Sequence, residues 1–365
     1  MKVKHTCASE VTMTEAQAGG LGCRICGNEA ANALHHAREM FYGTRHPFAY
    51  VECAACGTIQ IQQVPDLRPY YAQNYYSFAH AQADAQPAAL GIKRNLAARV
   101  GAFVRRTAGA YYGQRRARLG QLRHPLGRSL SALLPRLVAG FPEYLLDTRV
   151  NLNLTPRSAI LDFGSGAGST LLTLSLFGFR DLTGVDPFVE ADIEYGDGVR
   201  VLKTELSGLS RQFDLILANH SVEHVADPRA TLVEIRRVLK PGRFAVIRIP
   251  VVAHAWERYG VNWVQLDPPR HLFLFNVHTF AGLATEAGFA LEELRHDSTA
   301  FQFWGSEQYA RDIPLTDERS YLLNPAASIF EAGQLAAFAA QAEELNRRGE
   351  GDQAVFYLRK PVTGD

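Results

Sequence analysis

Long hydrophobic runs are missing from this chain. No uninterrupted apolar stretch approaches the ~18 residues that a membrane-crossing helix requires. The nearest candidate, Ser158 to Phe179, is broken by Asp162 and by four glycines. A soluble protein is therefore expected. The opening segment, Met1 to Glu10, has no apolar core of the secretory kind, so the expected compartment is a reducing cytoplasm. Cysteine is scarce, with five in 365 residues, and in such a compartment thiols or metal ligands are expected rather than disulfides. Acidic residues are absent from Ala85 to Pro142, a stretch holding 11 of the 38 Lys and Arg residues. The formal net charge of +1 thus hides a basic segment.

What is present is ordinary globular material. Hydrophobic residues make up 47% and charged residues 21%, which excludes disorder, collagen and a long coiled coil. The length allows two or three units. In the basic segment Ile92, Leu96, Val100, Phe103, Val104 and Tyr111 fall on one side of a helical wheel, with Arg94, Arg99, Arg105 and Arg106 mostly on the other. Such a helix suits an anionic membrane surface, or it is a linker with a solvated face. Nucleic acid is disfavoured, because no aromatic stacking platforms are interleaved with the bases. The alanine-rich stretch Ala79 to Ala89 reads as a flexible joint.

Four of the cysteines have metal-ligand spacing. Cys23 and Cys26 precede Gly27, and Cys53 and Cys56 precede Gly57. Each CxxC places two thiolates on one tight turn, and two such turns complete a tetrahedron around one zinc ion. Four thiolates leave no open position for water, so this metal would be structural. Cys7 is left over, while His35, His36 and His46 lie between the knuckles without being needed.

From Ser158 onward, strands alternate with helices, as in a parallel sheet covered on both faces. Ala159 to Phe163 is the first strand, followed by Gly164, Gly166 and Gly168 and then an apolar helix through Leu171, Leu172, Leu174 and Leu176. Glycines let a ligand approach the backbone, and the helix start offers unpaired N–H groups. A second strand, Leu182 to Asp186, ends in an acid suited to a ribose diol. A nicotinamide dinucleotide and S-adenosylmethionine both fit that much. The glycines fall as GxGxG, with Ser169 where a dinucleotide loop has its third glycine, and this favours S-adenosylmethionine. Further strands are expected at Val199 to Thr204, Phe213 to Asn219 and Phe244 to Ile249. Between the last two, Asp227 and Pro228 read as an N-cap and first helical position, with Leu232, Ile235, Val238 and Leu239 as the buried stripe.

The runs ILDFGSGAG, GVDP and FDLILANHSVEHVADPRATLVEIRRVLKPGRFAVIRIP resemble the class I S-adenosylmethionine-dependent methyltransferases, in the bacterial subgroup whose fourth strand ends in an LEH-type motif. The likeness covers about residues 158–297. WERYGVNWVQLDPPRHLFLFNVHTFAGLATEAGF, the double-knuckle segment ahead of the core, GTIQIQQVPD and YYAQNYYSF extend it in order along the chain. Val222 and Arg243 depart from the usual leucine and glycine. The resemblance implies a Rossmann-like, seven-stranded α/β sheet with helices on both faces, with Ala290 to His296 and an antiparallel Gln353 to Arg359 completing it. It implies a tail over 1–20, a zinc-ribbon-like domain over 21–80, a basic helical linker over 81–150 and the methyltransferase domain over 151–365, with an insertion at about 300–351 that includes a helix from Pro325 to Arg348.

Carried over by position, the resemblance places Asp162, Gly164, Gly166 and Gly168 at the methionine end of the cofactor, Asp186 on the ribose, Glu205 near adenine, and Asn219 and His220 beside the sulfonium. Methyl transfer needs mainly alignment, and a base only for a protonated acceptor. His220, His224 and His271 are the candidates. His220 is expected nearest the methyl and His271 on a loop over the strand ends, while Glu223 and His224 are expected to hold their turn together. Trp256, Tyr259 and Trp263 offer flat surfaces for an acceptor or for packing. Arg270 pairs with an anionic acceptor or with the core. The expected activity is methylation, on oxygen or carbon, of a small or carrier-linked acceptor such as a sugar, glycolipid or natural product. The alternatives are a zinc-containing scaffold with an inactive core and a nicotinamide-dependent oxidoreductase.

Overall fold

Strands that are apolar along their whole length, rather than alternating, belong inside a sheet covered on both faces. In the computed structural model, which describes residues 20–71, 101, 103–108, 140–146 and 148–362, this is how the central strands are placed. In chain order the strands are β1 (Ala33–Arg38), β2 (Pro47–Glu52), β3 (Ile59–Ile61), β4 (Ala159–Phe163), β5 (Asp181–Val185), β6 (Ile193–Gly196), β7 (Val199–Leu202), β8 (Phe213–Asn219), β9 (Leu239–Pro250), β10 (Phe273–Leu274), β11 (Ala290–His296) and β12 (Gln353–Arg359). The helices are α1 (Glu143–Leu146), α2 (Ser169–Leu176), α3 (Pro228–Val238), α4 (His254–Tyr259), α5 (Val277–Glu286), α6 (Phe301–Ala310) and α7 (Ala332–Arg348).

The large sheet has the order β11-β12-β9-β8-β4-β5-β7-β6. From β9 to β7 the five strands are parallel, and β12 inserts antiparallel between β9 and β11. All seven expected strands are present. An eighth, β6, extends the edge through a hairpin whose two turn residues, Asp197 and Gly198, both have positive φ; that is a two-residue turn matched to strand twist. α3 begins as its sequence requires, with the Asp227 carboxylate accepting from the Ala230 N–H and Pro228 in the first turn, and it buries Leu232, Ile235 and Val238.

The smaller sheet, β1-β2-β3-β10, joins the cysteine-bearing segment to the main body. Its fourth strand comes from the far side of the chain, Phe273 and Leu274 pairing with Gln60 and Ile59. Cys23, Ile25, Tyr50, Ile59 and Ile61 share one hydrophobic core with Leu232, Ile235, Phe273, Phe275 and Phe280. Side chains seal the junction: Asn276 Nδ2 and Thr279 Oγ1 both donate to the Cys56 carbonyl, at 2.8 and 2.7 Å.

Two details differ from expectation. The helix anticipated from Pro325 begins at Ala332, because Pro325–Ala327 makes a single 3₁₀ turn and Ser328 and Glu331 are extended. Most of the basic segment lies outside the described residues, as do Cys7 and Ala79 to Ala89. Within 103–108, Phe103 is 57% exposed, whereas Val104 and Ala108 are buried in the core. Val104 is thus buried as its side of the wheel requires and Phe103 is not, while Gly178, by lacking a side chain, lets Arg106 approach. Among the described residues no helix is long and apolar enough to cross a membrane.

Candidate active site

The carboxyl ends of β4, β5 and β8 open onto a cavity of about 870 Å³. The glycine loop leaving β4 has three positive φ angles: Gly164 at 70°, Gly166 at 52° and Gly168 at 85°. A Cβ on Gly164 would lie 2.4 Å from Ser221 Oγ, and one on Gly168 2.9 Å from Val201 Cγ2, so side chains are excluded by space as well as by conformation. The Asp186 carboxylate at the end of β5 braces this loop. Its Oδ2 accepts from Gly166 N–H and its Oδ1 from Phe188 N–H, both at 2.8 Å. A carboxylate offers about four lone pairs, so two remain for a ligand. Asp162 lies beside it, and burial, reinforced by the Asp186 charge, pushes its carboxyl up to about 7. Phe188 and Tyr71 stack at 5.0 Å over the mouth. A bare glycine bend, a carboxylate with spare acceptor capacity and a cavity of nucleoside size form a donor set that fits S-adenosylmethionine.

A second, smaller cavity of about 170 Å³ lies behind the first. His220 and Arg248 line both. His220 follows β8 with φ at 51°, and its ring faces Glu223. Nδ1 is 3.1 Å from Glu223 Oε1, and Nε2 is 3.1 Å from Arg248 Nη1. Glu223 accepts and the guanidinium donates, so the proton sits on Nδ1 and the Nε2 lone pair faces the junction. Burial alone would raise the Glu223 carboxyl, but the His220 hydrogen bond, with His224 and His271 nearby, outweighs it and holds the group at about 2. Arg248 is fixed in turn by Asp297 Oδ2 at 2.6 Å and Asn219 Oδ1 at 3.1 Å. The smaller cavity mixes Phe41, Phe301 and Leu315 with Gln265, Gln302, Asp352 and His271. Burial drives the Asp352 carboxyl up to about 6 and, with the His224 ring beside it, the His271 imidazole down to about 4.

The four cysteines converge as their spacing predicts. Cys23 Sγ is 3.6 Å from Cys56 Sγ, and Cys26 Sγ is 3.5 Å from Cys53 Sγ. Thiolates around a tetrahedral zinc ion, with bonds near 2.3 Å, lie about 3.8 Å apart, so the donor set fits that ion. The two knuckles are built alike: Gly27 N–H donates to Cys23 O and Gly57 N–H to Cys53 O, each at 2.9 Å. His35 pairs with Glu52 and His46 with Tyr70, away from the sulfurs.

Residues 121–294 match the family described as a methyltransferase domain. This match, a little under half of the chain, marks a methyltransferase domain within it. A comparison with curated proteins gives no match. Among solved structures, the chain is similar to a SAM-dependent methyltransferase from Thermotoga maritima, with 22% identity over 66% of this chain and 97% of that one and a TM-score of 0.36. It is also similar to the cyclopropane synthase MmaA2 from Mycobacterium tuberculosis, with 16% identity, 56% and 79% coverage and a TM-score of 0.37. A third likeness is to an S-adenosylmethionine-dependent methyltransferase from Mesorhizobium loti, with 17% identity, 56% and 91% coverage and a TM-score of 0.35.

Within the matched domain, Asp162, Gly164, Asp186, Glu205 and Asn219 all line the larger cavity. Gly166 and Gly168 act one step back, through the loop they shape. His220 and His271 both line the smaller cavity. Two expectations resolve to packing. Trp256 and Trp263 are buried, with their indole N–H groups on Glu52 and Asp352, and with Tyr259 they stand apart from both cavities. Arg270 is fully buried, its Nε and Nη2 donating to the two Asp267 oxygens at 2.8 and 2.5 Å. Sequence reading missed Phe188, Tyr71, Arg248 and Asp352. Arg248 had left a signal, a charge inside the otherwise apolar strand Phe244 to Ile249.

Proposed function

We propose that the protein methylates an oxygen or carbon atom of a hydroxylated small or carrier-linked acceptor, such as a sugar, a glycolipid or a natural product, held in the smaller cavity. The observation that carries this reading is the junction: His220 and Arg248 belong to both cavities, so an acceptor in one meets the cofactor site in the other. When bound, S-adenosylmethionine supplies a methyl group on a sulfonium leaving group. The chain's own contribution is placement and proton transfer. Asp186 offers its two remaining lone pairs to the ribose, and the Gly164–Gly168 bend receives the amino-acid end beside Asp162. Aligning the acceptor supplies much of the rate.

His220 is the base in this reading. Its Nε2 takes the acceptor proton after exchanging its contact with Arg248, while Nδ1–H stays on Glu223, which orients the ring and stabilises the imidazolium. His271 lines the acceptor pocket. In the same reading Cys23, Cys26, Cys53 and Cys56 hold a structural zinc ion. The test is incubation of the protein with methyl-labelled S-adenosylmethionine and fractionated extract of the source cell. Label in small-molecule, glycan or lipid pools, lost in His220→Ala, is the expected result. Label confined to nucleic acid or protein overturns the acceptor class.

A further inference from the structure

The wall between the two cavities holds a cluster of which proton transfer at His220 uses only the Glu223 Oε1. Glu223 is fully buried. Its Oε1 faces His220, but among the described residues no hydrogen-bond donor reaches its Oε2. A buried anionic oxygen left in that state is costly unless a cation compensates it. Two imidazoles stand beside it in matching orientation. His224 Nδ1 lies 2.9 Å from the Arg270 carbonyl, and His271 Nδ1 lies 2.7 Å from the Gln265 carbonyl. Carbonyl oxygens only accept, so each Nδ1 carries a proton and each Nε2 presents a lone pair. This anchoring of one ring nitrogen on a carbonyl is the support that metal-bound histidines use.

The spacings point the same way. One ligand atom from each of Glu223, His224 and His271 can be chosen so that all three lie within 4.8 Å of one another. His271 Nε2 is 4.0 Å from Glu223 Oε1 and 3.8 Å from Asp267 Oδ2. These separations are too long for hydrogen bonds. They suit donors that share one ion, which at bond lengths near 2.1 Å sit about 3–4 Å apart. We propose that Glu223, His224 and His271 form a second metal site, for a divalent first-row transition ion, distinct from the cysteine cluster. Two imidazoles and a carboxylate are a suitable set for Zn²⁺, Fe²⁺ or Co²⁺. His224 lines the larger cavity and His271 the smaller one, so an ion here could bind an acceptor oxygen and make its proton easier to remove. The site does not depend on which acceptor is methylated.

The test is titration of the full-length, chelator-stripped protein with Co²⁺, followed by absorption spectroscopy and metal analysis. Thiolate-bound cobalt shows sulfur charge-transfer absorption, whereas cobalt on nitrogen and oxygen shows only ligand-field bands. The expected result is one equivalent of the sulfur-free kind, weakened in Glu223→Gln and His271→Ala beyond the about 100-fold that loss of an outer partner costs, with the thiolate signal unchanged. That retained signal also reports that the variants fold, and His224→Gln serves where one does not. Wild-type protein that binds no sulfur-free cobalt overturns the proposal, as does sulfur-free binding of unaltered affinity in the variants.

Discussion

Replacing Asp186 tests the cofactor reading most directly, because the structure divides its lone pairs. Of about four acceptor positions on the carboxylate, two are taken by the Gly166 and Phe188 N–H groups. Two remain for the ribose hydroxyls. A hydrogen bond to a charged group contributes about 1.5–3 kcal/mol, so Asp186→Ala removes about 3–6 kcal/mol of binding, or roughly 10²–10⁴ in affinity. Asp186→Asn keeps one acceptor oxygen and turns an NH₂ toward a backbone donor, so its loss falls lower in that range. Calorimetric titration with S-adenosylmethionine and with S-adenosylhomocysteine measures both variants. The two ligands share the ribose and must weaken by the same factor. A thermal melt alongside reports the orphaned Gly166 and Phe188 N–H groups, which cost stability in the alanine variant. Binding within about twofold of wild type in both variants would refute the assignment of Asp186 to the ribose.

Asp162 gives a pH prediction. Its folded value of about 7 lies above the ordinary 3.8, chiefly through burial. The folded chain therefore holds a proton that the unfolded chain has lost between about pH 4 and 7, and stability falls as pH rises through that window, by up to about 4 kcal/mol. Urea unfolding at pH 5 and pH 8 should show a smaller decline in Asp162→Asn than in wild type; equal declines would remove the argument. Metal removal gives another. Structural zinc contributes on the order of 10 kcal/mol to small domains, so chelation or Cys53→Ser should lower the unfolding midpoint and speed amide exchange in both β3 and its partner β10. Exchange in Phe273 and Leu274 that ignores chelation would count against a structural ion.

The parts of the fold legible in the sequence are those set by local pattern. Ala290–His296 and Gln353–Arg359 match their expected bounds, and the Asp227 cap sits where its residue type demands. The edge strand β6 was readable too, since Asp197 followed by Gly198 is a hairpin signal, but four residues between two loops carry little periodicity of their own. The site divides in the same way. The glycine bend and Asp186 end two consecutive strands of the sequence and show directly, whereas the smaller cavity is assembled by topology. Asp352 and Gln353 line the same cavity as Arg248 only because β12 inserts beside β9, 104 residues after it in sequence when Asp352 is counted from Arg248. Arg270 and the tryptophans stayed open between two readings because a charged or aromatic residue near strand ends has the same composition whether it meets a ligand or a buried partner.

The sharing of one small sheet between β3 and β10 restricts how this protein can be cut and recombined. A shortened chain that starts near the large sheet would lose the neighbours of Phe273 and Leu274, the Tyr50 hydroxyl that donates to the His271 carbonyl at 2.9 Å, and Tyr71 with its stack on Phe188. Grafting the front portion onto a different catalytic core would meet the reverse difficulty, since its last strand belongs to the recipient's own loop. Ancestry could exchange the two halves only together, as a matched pair.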